Sequence, residues 1–248
     1  MKKTVILLLI ISLFAGCEKP YDCIKPSGAL TSKVYEGLSF TKIVVSKRIG
    51  VVITQGDEYR VEVRTGENLI NDIEVTQSGN LLKLSDNTEC NWTREFGQTV
   101  VYITAPNITD IYSKTEQEIR SNGVLTYPNL HLTLMDAYDG FSGTGTGDVI
   151  LALNNESVFV ENNDVGRFYL SGHTHKLESN FYENGGVLHA ENLLANVVQL
   201  YHRGSNDMHV HPVDEIHGGI YNVGDVLCYS RPPVADVHEY YRGDFIYK

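Results

Sequence analysis

The chain has 248 residues, with 31 acids against 20 Lys and Arg, and a formal net charge of −11. That balance excludes a binder of phosphate backbones, because nucleic acid would be repelled, and an anionic lipid surface would repel it too. The 22 glycines and 15 tyrosines, with many Val and Ile, point to an all-β chain with frequent turns.

Residues 1–16 carry an export pattern. Lys2 and Lys3 form a short positive segment, and Val5 to Phe14 is apolar apart from Ser12. A transmembrane helix needs roughly 20 apolar residues, so this shorter run reads as the core of a signal peptide. It closes on Leu13-Phe14-Ala15-Gly16-Cys17, which resembles the lipobox of bacterial lipoproteins, with Phe14 where a smaller aliphatic residue is usual. The resemblance implies cleavage before Cys17 and acylation of its thiol, each buried CH₂ adding about 0.8 kcal/mol of membrane affinity. Cleavage removes Lys2 and Lys3 and no acid, which moves the formal charge from −11 to −13. The expected location is the cell envelope, lipid-anchored at the outer membrane. Residues 17–30, with Pro20 and Pro26-Ser27-Gly28, read as a lipidated tether, and 31–248 as one β-domain.

Three further cysteines are Cys23, Cys90 and Cys228. Export favours disulfides, and three thiols leave one over. Polar, turn-like flanks favour a Cys23–Cys90 bridge, and an apolar strand makes Cys228 a buried thiol. None has spacing suited to zinc.

From Phe40 onward the pattern is strand after strand. Ile43 and Val45 share one face, as do Ile49, Val51 and Ile53. Gln55-Gly56-Asp57 is a turn before Tyr59–Val63. Ile73–Val75 and Leu81–Leu84 flank Ser78-Gly79-Asn80, a hairpin signal. Thr99–Ile103 and the turn Ala105-Pro106-Asn107 follow. No segment has a helical period; residues 68–72 could make one helical turn at most.

The second half repeats. Gly147, Gly166, Gly185, Asn206, Gly224 and Gly243 stand 19, 19, 21, 18 and 19 residues apart. Two places after each stand Val149, Phe168, Val187, Met208, Val226 and Phe245, expected to form one buried stack. Four places after stand Leu151, Leu170, His189, Val210, Cys228 and Tyr247. This predicts a parallel β-helix of about 19-residue coils, right-handed by the usual hand of parallel crossovers. The alternative is an antiparallel β-sandwich, whose turns recur every 8–12 residues.

Several segments together resemble the family known as "head GIN domain, putative auto-transporter adhesin". They are Phe40–Ile43, Val51–Asp57, Ala105–Ile108, and Gly143–Asp148 followed by Gly-Asp coil starts; Asp22-Cys23 with Cys90-Asn91-Trp92 resembles its lipoprotein members in Gram-negative bacteria. The resemblance covers most of residues 34–248. Departures are Arg48-Ile49-Gly50, in the segment that names the family, and Asn206 in place of a coil glycine. The family implies a β-helical fold in the envelope and carries no catalytic residues to transfer.

No catalytic centre is expected. There is no GxSxG, HExxH or SxxK, and Gly143–Asp148 is neither a calcium nonapeptide repeat nor a dinucleotide loop. His189 and Cys228, read as facing inward two coils apart, are too distant for a Cys–His pair. No cofactor or metal is assigned. The metal candidates are the pairs His173/His175 and His209/His211, which could share one edge, and the corner carboxylates Asp207, Asp225 and Asp244, which could hold Ca²⁺ or cap their own turns. Tyr169, Tyr201, Tyr221, Tyr229, Tyr240 and Tyr241 supply flat amphipathic area for a ligand. The expected function is a non-enzymatic recognition surface for protein or glycan, tethered to the membrane through Cys17. The rival is a carbohydrate-active β-helix enzyme, a polysaccharide lyase or hydrolase, which needs long loops around a carboxylate groove.

Overall fold

A computed structural model describes residues 23–88, 91–92, 94–95, 97–138, 140–183 and 185–248. The signal segment, Cys17 and Cys90 lie outside the described residues. Every described element is a strand, and no helix among the described residues is long and apolar enough to cross a membrane.

The first half contains β1 (Leu30–Tyr35), β2 (Lys42–Val45), β3 (Ile49–Gln55), β4 (Arg60–Gly66), β5 (Ile73–Ser78) and β6 (Leu81–Asp86). It continues with β7 (Thr99–Ala105), β8 (Asp110–Ser113), β9 (Ile119–Leu125), β10 (Asn129–Leu134) and the short pair β11 (Ala137–Tyr138) and β12 (Phe141–Ser142). Then come four long strands: β13 (Val149–Asn162), β14 (Arg167–Phe181), β15 (Val187–His202) and β16 (Met208–Ile220). The chain ends on β17 (Val226–Cys228), β18 (Val234–Glu239) and β19 (Phe245–Tyr247). All but β11 and β12 belong to one 17-stranded sheet.

Its hydrogen bonds form two columns. In one, β6, β2, β8, β10 and the second halves of β13 to β16 pair in parallel up to β18. In the other, β7, β3, β9 and the first halves of β13 to β16 pair in parallel up to β17 and β19. The long strands bend from one column into the other. What reads in the sequence as two short strands is there one ladder-forming strand. Antiparallel pairs among the sheet's strands are confined to the N-terminal end, where β4 joins β7, β1 joins β4 and β5 joins β6. The pairing in the repeat region is not that of an antiparallel sandwich.

Alternation places the core. β7 alternates buried and half-buried residues along its whole length, so one face of the strand is apolar by period two. Repeated in each layer, this builds one continuous apolar interior from Phe40 to Val226. The expected stack is present with one residue changed and a half-buried end at Phe245: Val149 pairs with Phe168, Phe168 with Leu188, Leu188 with Met208, Met208 with Val226, and Val226 with Phe245. Leu188 is fully buried, and Val187, predicted inside, is not. The coil corner is therefore Gly186 rather than Gly185. Ala190 takes the inner position expected for His189, which faces out.

The corner glycines serve close approach. A Cβ on Gly243 would lie 2.1 Å from the carbonyl oxygen of Gly224, and one on Gly224 2.2 Å from that of Asn206. Asn206 keeps a side chain at its own corner, and its Nδ2 donates to the Gly185 carbonyl at 2.5 Å.

Residues 23–29 pack on the domain. Cys23 is buried, Lys25 pairs with Asp72 at 2.8 Å, and the Asn68 and Glu67 amides donate to Ser27 and Ala29. Arg48, at the departure from the family's naming segment, has φ 67°, the left-handed region that favours glycine. Its guanidinium donates to Asp86 at 2.9 Å and to the Thr88 carbonyl.

Candidate functional site

The outer faces of the two columns carry the polar and aromatic chemistry, because alternation that sends Val and Leu inward sends the intervening residues outward. Parallel in-register stacking then places like positions of successive coils about 4.8 Å apart, so outward aromatics meet ring on ring.

Two aromatic ladders result. Tyr182, Tyr201, Tyr221 and Tyr240 stack up one edge, with centroid separations of 5.9, 4.7 and 4.5 Å. The Tyr221 and Tyr240 rings are nearly parallel and exposed, and they lie over Gly219, where a Cβ would come within 2.8 Å of each. Partial desolvation, then the adjacent Tyr240, raises the Tyr221 pKa. The second ladder, on the other column, runs Tyr169, His189, His209, Tyr229, with separations of 4.7, 4.7 and 5.8 Å. Tyr241 stands apart, exposed, with the Arg242 guanidinium over its ring.

The predicted histidine pairs do not form one edge. His173 and His175 are exposed and line a shallow depression with Asn154, Glu156 and Asn196. His173 is in register with Leu194, which in turn faces His211, so a leucine separates the pairs. His211 Nδ1 sits 2.9 Å from the Glu191 main-chain oxygen. His209 instead joins His189, and burial, then the adjacent His189, lowers its pKa.

Two of the three corner carboxylates, Asp207 and Asp225, accept from the backbone. The Asp225 amide donates to Asp207 Oδ1 at 3.1 Å, and the Asp244 amide to Asp225 Oδ1 at 2.9 Å. Asp207 and Asp225 therefore cap the following coil, not their own turns as the sequence suggests. At the same corner of an earlier coil, Asp148 accepts from Arg167 at 2.8 and 3.2 Å. Cys228 is a buried free thiol whose Sγ donates to the Ser230 carbonyl, and burial raises its pKa. His189, read from the sequence as facing inward with Cys228, faces outward instead, and of the two only Cys228 points into the core.

One cluster was invisible to sequence reasoning. His131 Nε2 lies 2.8 Å from Glu161, its Nδ1 3.6 Å from Asp110, and its ring stacks on Phe159 at 4.6 Å. Tyr182 donates to Glu161 at 2.6 Å, and Lys42 stands 3.5 Å from Asp110. Burial pushes Asp110 up, but hydrogen bonds from His131 and Thr109 and the Lys42 charge outweigh it and hold the carboxyl at about 2. Burial and the Glu161 bond push the Tyr182 hydroxyl up to about 12. These groups contact one another across consecutive layers. The only available signal was the polar residue at the same outward position of each layer.

The architecture has solved counterparts. A "putative adhesin" from Bacteroides fragilis superposes with a TM-score of 0.77 at 22% identity, over 90% of this chain and 99% of that one. Another "putative adhesin", from Parabacteroides distasonis, matches with a TM-score of 0.63 at 15% identity, over 90% and 99% of the chains. A protein from that species described as a "putative lipid binding protein" matches with a TM-score of 0.64 at 12% identity, over 88% and 97%. At these identities the likeness shows the fold alone. No curated protein matches the chain. The family model described as "Putative auto-transporter adhesin, head GIN domain" matches residues 39–232, and the chain belongs to that family.

Proposed function

We propose that the chain is a non-enzymatic envelope lipoprotein that binds a protein or glycan along the outer wall of a right-handed parallel β-helix. The observation that carries this reading is the tyrosine ladder. Four tyrosine rings in file on a rigid sheet, the last two stacked face to face, present ring edges and hydroxyl tips in fixed register, a surface suited to sugar rings or a flat protein epitope at little conformational cost. The parallel pairing of the coils at near-constant intervals supports the winding, and the crossover rule supports its hand. Membership of an adhesin-named family fits a surface location.

The same reading takes residues 1–16 as a lipoprotein signal, Cys17 as the acylated residue and the outer membrane as the site of anchoring. It places a Cys23–Cys90 disulfide at the base of the domain, where the Trp92 amide donates to the Cys23 carbonyl at 2.9 Å. The acidic chain has no expected nucleic-acid partner.

A glycan array combined with a lyase assay on the detergent-purified chain tests the reading. Binding that falls at least tenfold in Tyr221→Ala/Tyr240→Ala, without cleavage of any polysaccharide, is the expected result. Sugar cleavage would instead mark the carbohydrate-active alternative. Binding unaffected by the double substitution would remove the ladder from the binding surface.

A further inference from the structure

The second aromatic ladder contains a group of metal-ligating side chains that neither packing nor the proposed recognition surface uses. His189 and His209 face each other in direct register on β15 and β16, with ring centroids 4.7 Å apart. Glu191 lies two residues beyond His189 on the same outward face. One ligand atom from each of the three lies within 4.8 Å of the other two.

The carboxylate is the second observation. Glu191 Oε1 is 3.5 Å from His189 Nδ1. Its Oε2 is shut off from solvent and has no hydrogen-bond partner among the described residues. Buried polar atoms are almost always satisfied, and an exception asks for an ion or water. The surroundings also hold the group in place. The Tyr229 hydroxyl is 3.0 Å from His209 Nδ1, which can fix that ring's tautomer and leave Nε2 as the ligand atom. His211 Nδ1 contacts the Glu191 main chain from the next coil. Tyr169 and Tyr229 close the ladder above and below.

We propose that His189, Glu191 and His209 form a Zn²⁺ site on the outer wall, with a fourth coordination position left open. Two imidazoles and one carboxylate are a recognised zinc donor set, and bonds of about 2.0–2.2 Å place tetrahedral ligand atoms roughly 3.3 Å apart. The three side chains close by about 1.5 Å at most to reach that geometry, which rotation about side-chain torsions supplies without moving the strands. The inference is independent of the tyrosine ladder, which lies on the other column. It differs from both histidine pairs seen in the sequence, since it uses His209 but not its neighbour His211.

Calorimetry of ZnCl₂ into the untagged full-length chain in detergent tests the site, with Co²⁺ absorption as a second readout of tetrahedral coordination. One equivalent should bind. Glu191→Gln should weaken it by roughly tenfold or more, and His189→Phe/His209→Phe, which keeps stacked rings, should abolish it. His173→Gln/His175→Gln should leave binding unchanged. Absence of a stoichiometric equivalent in the wild-type chain would overturn the proposal. So would affinity unchanged in Glu191→Gln, a variant that keeps the side-chain shape and serves if the double variant fails to fold.

Discussion

Residues 30–125 and residues 149–247 build the same two columns by different routes. In the second region each coil lies on the one just before it: Val149 pairs with Phe168, and Met208 with Val226. In the first, chain order and layer order part. β6 and β7 form the outermost parallel layer, β2 and β3 lie inside it, and β8 and β9 come next. Val51 therefore pairs with Val101, across an intervening antiparallel cap. Closing longer loops costs more entropy and slows folding. The repeat half gains its contacts from near neighbours, as stacked repeats do. The two ends are also finished differently. At the N-terminal end β1, β4 and β5 cover the stack in antiparallel pairing. At the other, β18 and β19 are the last strands among the described residues, and β18 is largely exposed.

The strongest way to break this comparison is to empty the interior of a coil. Phe168 is fully buried and packs edge-on against Phe181. Phe168→Ala should destabilise by about 3–5 kcal/mol, and amide exchange should show the loss first in residues 149–247. Equal loss of protection around Ile43 and Ile103 would mean the halves unfold as one unit.

The corner glycines come next. Gly224→Ala drives a methyl into the Asn206 carbonyl and should cost about 2–3 kcal/mol. Gly79, in the hairpin of the antiparallel cap, has positive φ but open space around its Cβ direction. Gly79→Ala should cost only about 1 kcal/mol. Chemical denaturation of both variants measures the difference between a packing constraint and a backbone one.

The Asp110 cluster joins the halves, since it links β2, β8, β10 and β13. Its folded pKa of about 2 lies below the ordinary 3.8. The stabilisation it gives is present above pH 4 and is lost as pH falls through 4 to 2, by about 2 kcal/mol in all. Asp110→Asn should flatten stability over that window. Glu62 on β4 is also held at about 2, by hydrogen bonds from Arg64 and Arg60, but those guanidiniums are exposed. Its acid response should be smaller because solvent screens the pair.

Much of the repeat half was legible because one rule, period-two alternation with a glycine corner, recurs in every coil. It slipped where Gly185 and Gly186 offered two corners. With a period of two, a slip of one residue exchanges the faces, which is why His189 was read as inside. That single slip also hid the zinc candidate, whose three ligands lie together only once His189 faces out. The first half was legible strand by strand but not as a stack, because alternation says which face is apolar and not which layer lies below. Asp110, His131 and Glu161 are unremarkable polar positions until three layers are superposed.

The smallest expected effect concerns the one non-glycine residue with positive φ among the described residues, Arg48. Two contributions oppose there. The left-handed backbone costs about 1 kcal/mol relative to glycine, and the guanidinium contacts to Asp86 and Thr88 return it. Asp86 is nearly buried, at 6% side-chain exposure, so its charge-assisted bond is worth about 2 kcal/mol. Arg48→Ala loses the bond and keeps the strain. Arg48→Gly loses the bond and relieves the strain. The glycine variant should therefore be more stable than the alanine variant by about 1 kcal/mol, with both below wild type in urea denaturation. Were glycine the most stable of the three, the Asp86 contact would contribute less than the strain it offsets. The left-handed residue in the β2–β3 turn would then be a tolerated strain, not a local exchange of backbone freedom for an ion pair.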